Sequence, residues 1–189
     1  MSKIMWKPGT FEYPIPAVMV SLGTMEKSNI ITVAWTGIIN SKPPMVYISV
    51  RPERYSHKII EDTKEFVINL TNESLAFPTD WCGVKSGKDV DKFKEMKLTK
   101  EKANIVKCPM IKESPVSIEC KVKEIKKLGS HDMFIAEVVA INAAEEYFDK
   151  KGAFDISKCD LIAYANGGYY KLGKKLGKFG FSVQKKKKK

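Results

Sequence analysis

The chain has 189 residues, 43% of them hydrophobic and 10% aromatic, which is enough to build one domain around a real core. Its formal charge of +11 points toward nucleic acid only until the five lysines at 185–189 are set apart, leaving +6 over dispersed side chains without an RNA-binding or helix-turn-helix signature. No stretch approaches the roughly 20 apolar residues that cross a bilayer, and residues 1–4 do not read as a secretory leader, so a cytoplasmic protein without nucleic-acid or membrane partners is expected.

Runs rich in β-branched residues, broken by Gly, Pro and Asn, predict strands at 15–22, 29–35 and 45–50. Ser56 then reads as the N-cap of a short helix over 57–64, and a further strand is predicted at 66–70. From 72 to 107 the composition turns polar and mixed. That predicts a long excursion leaving the sheet and returning before Pro109, with a second short helix over 90–96 inside it. Two more strands are predicted at 116–123 and 133–141. In the first, Val116, Ile118, Cys120 and Val122 alternate with Ser117, Glu119, Lys121 and Lys123, the pattern of an antiparallel strand with one wet face. Glu137 interrupts the second and is either paired to a cation or turned to a cleft. After Gly167 glycine and lysine dominate, so a domain over 1–170 and a basic, partly disordered segment over 171–189 are expected. Short strands with brief helices between them predict a mainly β fold, a closed or partly closed barrel and not a doubly wound sheet.

Several chemistries lack their residues. Cys82, Cys108, Cys120 and Cys159 are scattered, with no Cys-x-x-Cys pair, which argues for reduced, buried thiols and against a zinc site or a disulfide framework. The two histidines, His57 and His131, have no paired metal-ligand spacing, and no Gly-x-Ser-x-Gly turn is present. Neither a Gly-x-Gly-x-x-Gly turn nor a phosphate-binding P-loop occurs, and the glycines of 173–180 read as a flexible or edge segment.

One ordered set of segments is more specific: Asn29-Ile30-Ile31-Thr32-Val33-Ala34-Trp35, Lys42-Pro43-Pro44-Met45-Val46-Tyr47-Ile48-Ser49-Val50-Arg51 and Arg54-Tyr55-Ser56-His57-Lys58. Glu65-Phe66-Val67-Ile68-Asn69-Leu70, Ser86-Gly87 before Asp91-Lys92-Phe93, and Gly129-Ser130-His131 continue it. In this order the chain resembles the flavin reductase-like family of FMN-binding split barrels, and within it the flavoredoxin branch. The resemblance implies an antiparallel Greek-key barrel that binds FMN. It further implies a homodimer with the cofactor cleft between subunits, NAD(P)H or a redox protein as electron donor, and a small molecule or flavin as acceptor. Carried over to this chain, Thr32, Ala34, Trp35 and Thr36 line the ring and ribityl chain, beside Asn29, Ser49 and Val50. For Trp35, packing in the barrel is the open alternative. Arg51, Ser56 and Lys58 form the phosphate candidate, since a helix start and a cation both attract an anion. Ser86 and Gly87, with Lys92 nearby, begin a loop over the cofactor, an ordinary polar turn being the alternative. His131 stands where short-chain flavin reductases carry Gly-Asp-His. It is the candidate catalytic group, a capping or packing role being its alternative. The expected function is therefore that of a flavin oxidoreductase, with a flavin-binding module that does not turn over as the second reading.

Overall fold

The structure, a computed structural model, describes residues 1–184; the lysine run that ends the expected disordered segment lies outside the described residues. The first half of the chain forms β1 (Ile15–Pro16), β2 (Val18–Gly23), β3 (Ser28–Val33), β4 (Thr36–Ser41), β5 (Pro44–Val50), α1 (Tyr55–Thr63) and β6 (Glu65–Leu70). An excursion follows with α2 (Ala76–Val84), α3 (Lys92–Glu95), β7 (Lys100–Glu101) and β8 (Met110–Ile111). The long strands β9 (Val116–Lys127) and β10 (Asp132–Ala143) come next, and the hairpin β11 (Ile162–Ala165) and β12 (Gly168–Lys171) pairs with β1.

Seven strands form one sheet in the order β3-β2-β6-β9-β10-β5-β4, and every neighbouring pair is antiparallel. Its two edges, β3 and β4, are consecutive in the chain and joined only by Ala34 and Trp35. The Ser49 amide donates to the Trp35 carbonyl at 2.8 Å, so the sheet curls until β3 meets β5 at one point. A barrel closed there and open elsewhere is a split barrel, mainly β as the sequence predicts.

Period-two alternation explains why β2 is buried along its whole length. Val18, Val20 and Leu22 face the barrel interior with Ile31, Ile48, Phe66 and Phe134, while Met19 and Ile30 face outward under Leu75, Cys82, Phe93 and Ile111 of the excursion. The excursion thus returns to cover the outer face of β2 and β3. Each large side chain fully buried in this way contributes about 1.5–3 kcal/mol.

Several expectations are corrected. Helix α1 begins at Tyr55 with Arg54 in the cap position and no side-chain cap; Ser56 lies inside the first turn, where its hydroxyl accepts from Asn29 Nδ2 at 2.9 Å. The excursion's expected helix over 90–96 is only the four residues of α3, because the Asp91 carboxylate caps Phe93 and Lys94 and fixes its start. Strand β4, helix α2 and the final hairpin were not expected, and that hairpin carries regular structure past Gly167 to Lys171. Glu137 pairs with Lys123 at 2.7 Å, which settles its alternatives in favour of pairing. All four cysteines are buried and free; burial pushes the thiol of Cys82 up to about 11 and that of Cys108 up to about 12, and raises those of Cys120 and Cys159 as well.

Glu119 binds the excursion to the barrel. Fully buried on β9, its carboxylate accepts from the amides of Asn104 (2.8 Å), Ile105 (2.7 Å) and Val106 (3.0 Å) and from Asn142 Nδ2 (2.8 Å). Burial favours its neutral form, but those four donors overcome burial and hold its pKa below the ordinary glutamate value. The stability it contributes is therefore present above a pH of about 4.3 and is lost as pH falls through the lower folded value. Glu119→Gln, which turns an NH2 group toward backbone donors, should cost about 2–4 kcal/mol at neutral pH. Urea unfolding from pH 7 to pH 3 checks both points, since the variant should also lose part of the native acid dependence.

Candidate functional site

The open seam of the barrel continues into a cleft between β3 and α2. Its first chamber, about 280 Å³, is lined by Thr32, Val33, Ala34 and Trp35, by Ser49, Val50 and Arg51 at the end of β5, by Asp80 and Gly83 of α2, and by His131, Tyr164 and Tyr169. A second chamber, about 210 Å³, is lined by Arg54, Tyr55, Ser56, Cys82, Ser86, Gly87 and Lys92, among others. The chambers share Ile31, Arg54 and Gly83, so they form one bent cleft whose joint volume falls within the roughly 300–1,000 Å³ of small-molecule sites.

Close packing of α2 on β3 fixes the walls. Thr32 Oγ1 donates to the Thr79 carbonyl, and a Cβ added at Gly83 would stand 3.2 Å from Thr32 Cβ. The last carbonyls of a helix have no partner within it. Here two cations serve them: Lys92 Nζ donates to the Cys82 carbonyl at 2.6 Å and Arg54 Nη2 to that of Gly83 at 2.9 Å. Lys92 also donates to the Ile30 carbonyl of β3 at 2.7 Å. With only 4% of its surface exposed, burial pushes its pKa down to about 8. Lys92 keeps one unused N–H and Arg54 keeps several, and both side chains line the second chamber with Lys85.

The first chamber is the more open of the two and carries the Trp35 indole on its wall. The rings of Trp35 and His131 are parallel within 2°, their centroids 6.2 Å apart. Ser130 Oγ lies 2.9 Å from His131 Nδ1, and in the tautomer where the hydroxyl donates, the imidazole carries its proton on Nε2. Burial lowers the His131 pKa, the charge of Arg51 adds to the effect and Glu53 opposes it, so the surroundings favour the neutral ring. Opposite, burial and the Asp80 carboxylate push Tyr169 up to about 12.

Most of the expected site residues converge. Thr32, Ala34, Trp35, Ser49, Val50, Arg51 and His131 share the first chamber; Ser56, Ser86, Gly87 and Lys92 share the second. Asn29 lies behind that second chamber, holding Ser56 and pressed by the loop at Gly87, where an added Cβ would fall 2.0 Å from Asn29 Oδ1. The close approach that Gly87 permits is thus to Asn29. Thr36 lines an adjoining groove with Trp35 and Tyr47 and donates to the Tyr47 carbonyl at 2.8 Å. Arg51, Ser56 and Lys58 do not form one cluster. Lys58 lies outside the cleft lining, 71% exposed, and pairs with Asp62 at 2.6 Å. Helical phase gives the reason: two residues apart is about 200° of rotation, which separates Lys58 from Ser56. Arg51 lines the other chamber and pairs with Glu53 at 3.2 Å. Arg54, Asp80, Gly83, Tyr164 and Tyr169 were missed; only Arg54, one residue before a helix start, had a legible signal.

Among the described residues no group of three or more His, Cys, Asp or Glu side chains is arranged to hold a metal ion, and no helix is long and apolar enough to cross a membrane.

Comparisons with known proteins match this architecture. A solved flavoredoxin of Desulfovibrio vulgaris (Miyazaki F) is 30% identical and superposes with a TM-score of 0.88, covering 96% of this chain and 99% of that one. A flavoredoxin from Methanosarcina acetivorans is 28% identical with a TM-score of 0.86, covering 97% and 100%. An uncharacterised protein of Pyrococcus abyssi is 32% identical over 72% of this chain and 78% of its own. The family model described as the flavin reductase like domain matches residues 10–173, and the chain belongs to that family.

Proposed function

We propose that the chain binds FMN in the bent cleft and acts as a flavin oxidoreductase, accepting electrons from NAD(P)H or a redox protein and passing them to a small-molecule or flavin acceptor. One observation carries this reading: a chamber walled by Trp35, Ala34 and Val50 runs without interruption into a chamber lined by Arg54, Lys85 and Lys92. That division fits a molecule with a planar ring at one end and a phosphate at the other. The two flavoredoxins support the same reading.

In this reading Arg54, Ser56 and Lys92 hold the phosphate, Ser86 and Gly87 close over it, and Trp35 and Val50 flank the ring. Bound FMN supplies hydride and single-electron transfer. His131, at the chamber rim beside Trp35, presents a hydrogen bond to whatever enters there. The exposed edge strand β4, with Ile38 at 84% and Ile39 at 46% exposure, favours a homodimer over a free monomer.

The absorption spectrum of the purified protein, with identification of any released flavin, is the first test. Release of FAD, or a colourless protein that takes up no FMN, overturns the reading. A yellow protein that neither nicotinamide nor reduced redox protein bleaches is a flavin-binding module instead. Arg54→Ala should weaken FMN binding about 10- to 100-fold, the loss of a charge-assisted hydrogen bond of about 1.5–3 kcal/mol, whereas Lys58→Ala should leave it unchanged; fluorescence titration of FMN separates them. Because Lys92 is charged below about 8, FMN affinity should be full below that pH and fall as pH rises through it, and this decline should vanish in Lys92→Met. His131→Ala should keep FMN and slow anaerobic flavin reduction by roughly 10- to 100-fold, as read by stopped flow.

A further inference from the structure

Asp132 and His57 form a buried pair that the proposed chemistry does not use. His57 Nε2 lies 2.9 Å from Asp132 Oδ2, with side-chain exposures of 9% and 8%. Along β10 the residues Asp132, Phe134 and Ala136 share one face, and the latter two are fully buried in the barrel core. Asp132 therefore occupies a core-facing position where packing alone would be served by an apolar side chain. Apolar residues of similar volume are commonly as stable as a buried ion pair, or more so.

Position explains it better. Asp132 directly follows His131, and His57 directly follows Ser56, so each partner adjoins a residue lining one chamber. In the turn that presents His131, Gly129 has a φ of +95° and nothing within 4 Å of where its Cβ would be, and Leu128 is exposed; strand pairing with Lys127 and Val50 holds the backbone only from Asp132 onward. Within the turn the Leu128 amide donates to the His131 carbonyl at 3.0 Å, and Ser130 Oγ contacts the His131 ring. The other half of the pair is fixed. The His57 ring lies edge-on to Phe134 with centroids 5.1 Å apart, and its amide donates to the Arg54 carbonyl at 2.9 Å, on the turn that carries Arg54 into the cleft.

We infer that His57 and Asp132 are positioning residues that hold His131 beside Trp35 by anchoring the start of β10 to the first turn of α1. The inference rests on His131 being the rim group of the proposed cleft. It is tested in the full-length chain, with and without added FMN, by H57F/D132L, which replaces the pair with apolar residues, by Asp132→Val alone, and by His57→Gln, which keeps a donor toward Asp132. In the native protein, nuclear Overhauser contacts between the His131 imidazole and the Trp35 indole are expected from their 6.2 Å stacking. H57F/D132L and Asp132→Val should fold, lose those contacts, and reduce bound flavin about 5- to 10-fold more slowly with FMN affinity within threefold of native. His57→Gln should retain contacts and rate. In a His131→Ala background, replacing the pair should slow reduction no further, because the pair acts through His131. Retained contacts in H57F/D132L, an equal rate loss in the His131→Ala background, or failure of both disruptive variants to fold would each overturn the inference. If the native protein takes up no FMN, the proposed function fails, while the contact measurement still decides the role of the pair.

Discussion

The cleft depends on how the end of helix α2 is satisfied. Nine residues of helix leave carbonyls at their C-terminus that no helical amide can reach, and the negative end of the helix dipole gathers there. Lys92 and Arg54 answer that demand from opposite sides, one arriving from the excursion and the other from the turn before α1. Because Lys92 also takes the Ile30 carbonyl of the edge strand, a single buried ammonium fastens helix, strand and loop together. The same two groups supply positive charge to the second chamber. The groups that close the helix are thus the ones that give the chamber its charge, and that charge is tempered by the carbonyls they serve.

Much of this was legible because alternation and β-branching report burial directly. Strands β2, β3, β5, β6, β9 and β10 all fall on predicted runs and pair antiparallel, but the face of residues 116–123 expected to be wet is only partly so: Ser117 and Glu119 are buried, Glu119 under the returning excursion, while Lys121 and Lys123 reach solvent. Strand β4 did not show itself, since Thr36 to Ser41 alternate little and most of the strand is exposed, as an edge allows. Helix α2 was hidden by Pro78 in its first turn and by an apolar content on more than one side, and its stability comes from packing on β3. The final hairpin turns at Asn166 and Gly167, residues that read equally well as the start of a loose tail.

For the site, the family pattern located the chambers but not the phase of their side chains. Seven expected residues reach the first chamber and four the second, yet Lys58 is displaced by helical rotation alone. Asp80, Tyr164 and Tyr169 come from segments distant in sequence that meet only when β11 and β12 fold back against β1. No local spacing encodes such a meeting. Pairing of remote segments is tertiary information.

The buried thiols carry a practical consequence. With every cysteine among the described residues inside the protein and its pKa raised, almost no thiolate exists near neutral pH, and maleimide or disulfide reagents find little to attack. A cysteine introduced at exposed Leu128, three residues from His131, would then be the one readily labelled position. A dye placed there would report the approach of molecules to the rim against an almost silent background, with none of the native residues replaced except that leucine.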